Sequence, residues 1–143
     1  MISLADVKRV SREHERAAFV YEKINAIKEK ENAETRKKFR SLMRSLPLMI
    51  RTNGLGTSVA FLYSKTKGRR EQKRDESCKQ TEHTIAYDLL QEWLRSRDMI
   101  KEESLITIII NQDSNTYRML LQETMALLVW AKLFAEGMLD EGK

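Results

Sequence analysis

Met125-Ala126-Leu127-Leu128-Val129-Trp130-Ala131-Lys132-Leu133-Phe134-Ala135 contains one polar residue, Lys132. A helix on the surface of a globule keeps a single apolar stripe. This run is apolar around most of its circumference, the pattern of a helix packed by neighbours on several sides. Crossing a bilayer takes roughly 20 apolar residues, so the run is too short and no membrane partner is expected. Asp113, Ser114 and Asn115 supply helix-start chemistry just upstream. Gly137 and Gly142 lie near the exit, where glycine can close a helix. A helix over 113–139 is therefore expected to be the central post of a bundle, wrapped by other helices.

The rest of the chain has the composition to supply those helices. One proline and five glycines are few interruptions for 143 residues. A globule of that length buries about 68–70% of its unfolded surface. β-Branched and aromatic residues are sparse outside one short run, so the expected fold is all-α, a single-domain bundle over 1–143. The net charge of +5 is unevenly spread: residues 1–81 hold 20 Lys+Arg against 10 Asp+Glu, and residues 82–143 hold 6 against 11. The basic part suits a polyanion, and the acidic part suits a basic partner or a neighbouring copy. Helical solvent faces rich in Lys and Arg would give the same count. Cys78 is the only cysteine, which rules out an intrachain disulfide, and the N-terminus has no signal-peptide core. The expected location is the cytoplasm.

Along the chain, Ser3 and Asp6 form an acidic variant of the capping box, starting a helix at Leu4. Val7, Val10, His14, Ala17, Ala18, Tyr21 and Ile24 recur at spacings of three and four, which predicts an inner stripe running to about Ile27. Lys8, Arg9, Arg12, Arg16 and Lys23 fall on the opposite side, and His14 is expected as a hydrogen-bonded core or boundary histidine. A second helix is predicted from Ala33 to Leu46, burying Phe39, Leu42, Met43 and Leu46, and ending there because Pro47 lacks an N–H and disfavours helix before it. A short helical turn, a corner at Asn53-Gly54 and a third helix over 55–65 follow, with Gly56 and Ala60 spaced to let another helix approach. Residues 65–79 carry seven Lys and Arg and almost nothing apolar, as a mobile basic loop would. A helix over 81–97 turns Ile85, Ala86, Leu89, Leu90, Trp93 and Leu94 inward, leaving His83 at the surface. Residues 104–111 are rich in isoleucine and favour strand. With no second strand to pair with, they are expected as a short buried helix instead.

Catalytic patterns are absent. The two histidines and the cysteine have no zinc-ligand spacing, and no HExxH, GxSxG, Walker or EF-hand pattern occurs. Gly54-x-Gly56 lacks the third glycine, the lysine and the preceding strand of a phosphate loop. Glu102 and Glu103 are adjacent, so on a helix they point to different sides. The expectation is a chain that is not an enzyme, with no cofactor, metal or small-molecule substrate.

The block from Leu46 to Gly56 with Ala60-Phe61 behind it, the Leu89-Leu90-x-x-Trp93-Leu94 pattern, and Tyr117-Arg118 leading to Trp130–Gly137 together resemble the small helical subunit family of the Cmr complex, the type III-B CRISPR ribonucleoprotein effector. Order and spacing agree over roughly residues 5–139. The first block is fairly specific, whereas the last alone would be a generic buried helix. The resemblance implies a bundle of about six helices without catalytic activity, stacked in several copies beside the subunits that hold CRISPR RNA. It also implies contact with guide and target RNA through basic surface without reading bases. Partners would be the other Cmr subunits, further copies of the chain, CRISPR RNA and target RNA.

Arg51, Asn53, Lys65 and Lys132 lie in or beside the matching blocks and are the leading candidates for nucleic-acid or partner contact. Lys132 stands out because a lone cation in an apolar run must reach a surface or meet an anion. Arg9, Arg12, Arg16, Arg36, Lys37, Arg40, Lys67, Arg69 and Arg70 are secondary candidates. The alternative is an assembly adaptor that binds only proteins. A DNA-binding regulator would want a helix-turn-helix signal, and none is compelling.

Overall fold

The structure, a computed structural model, describes residues 4–66, 81–101 and 104–139, with side chains from residue 12 onward. Among the described residues it has six helices and no strand: α1 (Leu4–Lys30), α2 (Ala33–Asn53), α3 (Leu55–Ser64), α4 (Glu82–Ser96), α5 (Leu105–Asn111) and α6 (Ser114–Met138). The all-α bundle expected from composition is what forms. α6 packs against α1, α2 and α4, while α3 packs against α2, α4 and α5. Leu120, Leu127, Leu128, Ala131 and Ala135 of α6 are fully buried. The post is open on one side, however: Met119, Val129 and Leu133 stay exposed.

Local chemistry starts the helices where expected. Asp113 accepts from the Thr116 N–H at 2.8 Å, Asn32 from Thr35 at 2.8 Å, and Thr81 from Thr84 at 3.2 Å. The Asp113 carboxyl is held below its ordinary range chiefly by that backbone hydrogen bond. The six residues expected to face inward on α4 are all buried.

Four expectations need correction. First, α1 faces the core with Arg16, Val20, Ile24 and Ile27, while His14, Ala18 and Tyr21 are exposed. The expected stripe was out of phase because alanines pack equally well on either face, and Arg16 reads as a surface residue until its partner is seen. Val7, Val10 and Arg9 lie outside the described side chains. Second, α2 runs through Pro47 to Asn53. Leu46 and Ile50 continue the stripe of Phe39 and Met43 and are almost fully buried. Their burial, at about 1.5–3 kcal/mol each, offsets a proline cost of about 3 kcal/mol. Third, α5 is helical as expected, but only Leu105 and Ile109 are buried, and Ile110 is 70% exposed. Ser104 makes no cap to the backbone; the Leu105 and Ile106 N–H groups instead donate to Gln91 Oε1 (2.8 Å) and Tyr87 Oη (3.2 Å) of α4. Satisfying those end donors from a neighbouring helix stabilises a β-branched run as helix. Fourth, His83 is half-buried, edge-on to Phe61 with ring centroids 5.3 Å apart.

Gly54 forms the α2–α3 corner at φ +91°, donating its N–H to Ile50 O at 2.8 Å. Gly56 lies close to α5, and its N–H donates to Tyr117 Oη at 3.0 Å. The basic loop expected at 65–79 falls, from Lys67 on, outside the described residues.

Candidate nucleic-acid interface

One polar arrangement joins α1, α4 and α6. Arg16 grips Glu123 with two prongs, Nε to Oε1 at 3.2 Å and Nη2 to Oε2 at 2.6 Å, and its Nη1 also pairs with Glu13. Trp93 Nε1 donates to the same Glu123 Oε1 at 3.0 Å, and Trp130 Nε1 donates to Glu13 Oε2 at 2.9 Å. Arg97 stacks over Trp93, 5.5 Å from the ring centroid, and pairs with Glu15. Burial pushes the Glu123 carboxyl up, but hydrogen bonds from Arg16 and Trp93 and the Arg16 charge outweigh it and hold the group below its ordinary value. The Glu123 carboxylate is thereby held in the ionised form. That is the opposite of a general acid poised near neutrality.

A second arrangement runs along α2. Lys37, Arg44 and Arg51 recur every seven residues on its exposed side, in steps of about 10 Å at 1.5 Å per residue. Arg44 Nε reaches Glu136 of α6 at 3.2 Å, which sets half-buried Lys132, one helical turn before Glu136, beside the same ridge. Asn53 is exposed at the corner that ends α2. The structure thus places Lys37 and Arg51 on the exposed side of α2 with Arg44, which sequence reasoning had not selected, and ties that side to α6 through Glu136, one turn from Lys132.

The sequence matches the family model for CRISPR-associated protein (Cas_Cmr5) over residues 12–138. The chain belongs to this family. It is a Cmr-associated CRISPR subunit, with the other Cmr subunits as its partners, as the resemblance implied. Among the described residues, no helix of this Cas_Cmr5 chain is long and apolar enough to cross a membrane.

The remaining candidates on the Cas_Cmr5 chain are scattered. Lys65 is exposed past the end of α3, with Nζ 5.6 Å over the Phe61 ring. Arg36 donates to Glu31 O at 2.7 Å, and Arg40 is half-buried. Arg12 is exposed, whereas Arg16, expected on the outer face, is buried in its ion pairs. Arg9, Lys67, Arg69 and Arg70 lie outside the described side chains. Sequence reasoning missed Glu123 and Arg97 entirely. The available signal was thin: Glu123 is the only acidic residue between Asp113 and Glu136, in an otherwise neutral or basic stretch.

Proposed function

We propose that this chain is the non-catalytic small subunit of a type III-B Cmr ribonucleoprotein effector in antiviral defence. Several copies stack beside the guide-RNA backbone, and each touches guide or target RNA through phosphates without reading bases. The observation that supports RNA contact is the ridge on α2 and α6. Lys37, Arg51 and Lys132 have no carboxylate partner among the described residues, and their spacing suits a polyanion better than a single acidic side chain. Glu123, held ionised by Arg16 and Trp93, supports the absence of acid–base chemistry at that cluster.

The test is RNA retention by the assembled Cmr complex across a salt series. Replacing Lys37, Arg51 and Lys132 together by alanine should weaken binding alike for unrelated sequences and flatten the salt slope by about two. An unchanged slope would remove the ridge from the RNA path.

A second reading, an adaptor that meets only protein, draws on exposed apolar side chains. Tyr21, Val129 and Leu133 are each more than half exposed, and Tyr21 stands edge-on to Phe134 at 5.8 Å. Charge reversal at Arg51 and Lys132 that spares RNA retention yet destroys assembly would select this reading.

A further inference from the structure

Away from the α2 ridge, a cleft of about 340 Å³ opens between α1, the end of α4 and the first turns of α6. Three arginines line it. Arg16 forms its floor, with its side chain only 10% exposed, already oriented by Glu123. Arg97 forms one wall and lies over the Trp93 ring. Arg12 stands at the rim, exposed, and makes no hydrogen bond or ion pair among the described residues. Glu123 is the single carboxylate in the lining, so the lining itself carries a net charge of +2. Glu13 and Glu15 partner Arg16 and Arg97 from outside the lining. They leave Arg12 as the uncompensated cation.

The rest of the wall is soft. Met99 and Met119 flank the opening, and Met119 is 59% exposed. An apolar, polarizable surface beside guanidinium groups suits a flat heteroaromatic ring next to an anion. Arg16 and Arg97 are fixed by intramolecular contacts, so little side-chain ordering remains to oppose binding there.

We infer that this cleft takes one nucleotide of a single-stranded RNA, its phosphate on Arg12 and its base against Met99 and Met119. The inference rests on the RNA-contacting reading above but assigns a site separate from the α2 ridge. Arg12 is the binding residue; Arg16 and Glu123 position the floor.

Site-specific photocrosslinking in the assembled complex tests it. A benzophenone amino acid replaces Gln122, which lines the cleft, or Thr52, which is exposed at the end of α2, and the probe is a labelled single-stranded RNA. The expected result is an RNA crosslink from position 122 that falls several-fold with Arg12→Glu, while the crosslink from position 52 is retained. No RNA crosslink at 122 with one at 52 would overturn the cleft and leave the RNA reading standing. A crosslink at 122 to protein instead of RNA, or one indifferent to Arg12→Glu, would also overturn it. Silence at both positions, with salt-independent RNA retention, would sink the RNA reading and the cleft together.

Discussion

Arg16 on α1 and Glu123 on α6, 107 positions apart, form a two-pronged ion pair in which both side chains are almost nine-tenths buried. It joins the first and last helices of the bundle, and Trp93 of α4 donates to the same carboxylate. Taking such charges out of water costs several kcal/mol each, which only the complete pair offsets. Arg16→Met is therefore expected to destabilise by about 3 kcal/mol by stranding Glu123. The double variant Arg16→Met, Glu123→Leu should recover most of that. Urea denaturation of the single and double variants checks it, and a single-variant cost below about 1 kcal/mol would mean that the pair is effectively solvated.

The same carboxylate sets an acid limb. Its folded pKa lies below the ordinary 4.5, so the unfolded state takes up the proton first as pH falls. The stabilisation is complete above that ordinary value and is lost as pH drops through the folded value. The stability difference between the parent chain and Glu123→Gln should accordingly shrink with acidification. A difference that stays flat from neutrality down to pH 3 would contradict the assignment.

Thr124, one residue further along α6, is 1% exposed, and its hydroxyl has no hydrogen-bond partner among the described residues. A buried unsatisfied hydroxyl costs about 1–3 kcal/mol. Thr124→Val keeps the branched shape and removes that cost, and should raise the melting temperature by about 4 °C. A fall would show that the hydroxyl is satisfied after all.

Two nearby glycines should respond in opposite directions. Gly54 sits at φ +91°, where a Cβ is strained whatever the space, so Gly54→Ala should cost about 1–2 kcal/mol. Gly56 is helical, and a Cβ there would meet Ile109 Cγ2 at 3.5 Å, an ordinary contact. Gly56→Ala should be neutral or stabilise by up to about 1 kcal/mol. Thermal melts of both variants separate them, and equal losses would count against the corner geometry.

The helices were legible in the sequence wherever the signal was local. Caps at Asn32, Thr81 and Asp113, and the stripe from Ile85 to Leu94, depend on residues within a few turns of one another. So does the apolar run on α6, which marks the bundle's hub. Basic candidates could be named from charge and from the family blocks, but their grouping could not. Lys37 and Arg51 share one side of α2 by their spacing, but that α6 lies alongside it, with Glu136 paired to Arg44 one turn from Lys132, is set by packing.

Other features were decided by contacts distant in the chain. Hydrophobic periodicity treats Arg16 as a solvent residue, because nothing within a few turns announces a carboxylate in the last helix. Pro47 reads as a stop until the burial of Ile50 on the far side is weighed against it. The isoleucine run is expected as helix, but which of its residues are buried, and that Gln91 and Tyr87 accept its first N–H groups, follow from the neighbouring helix. Local pattern specifies which segments become helices, since those energies act within a turn or two. The rotation of each helix, and which charges it hides, follow from neutralisation and packing across the bundle.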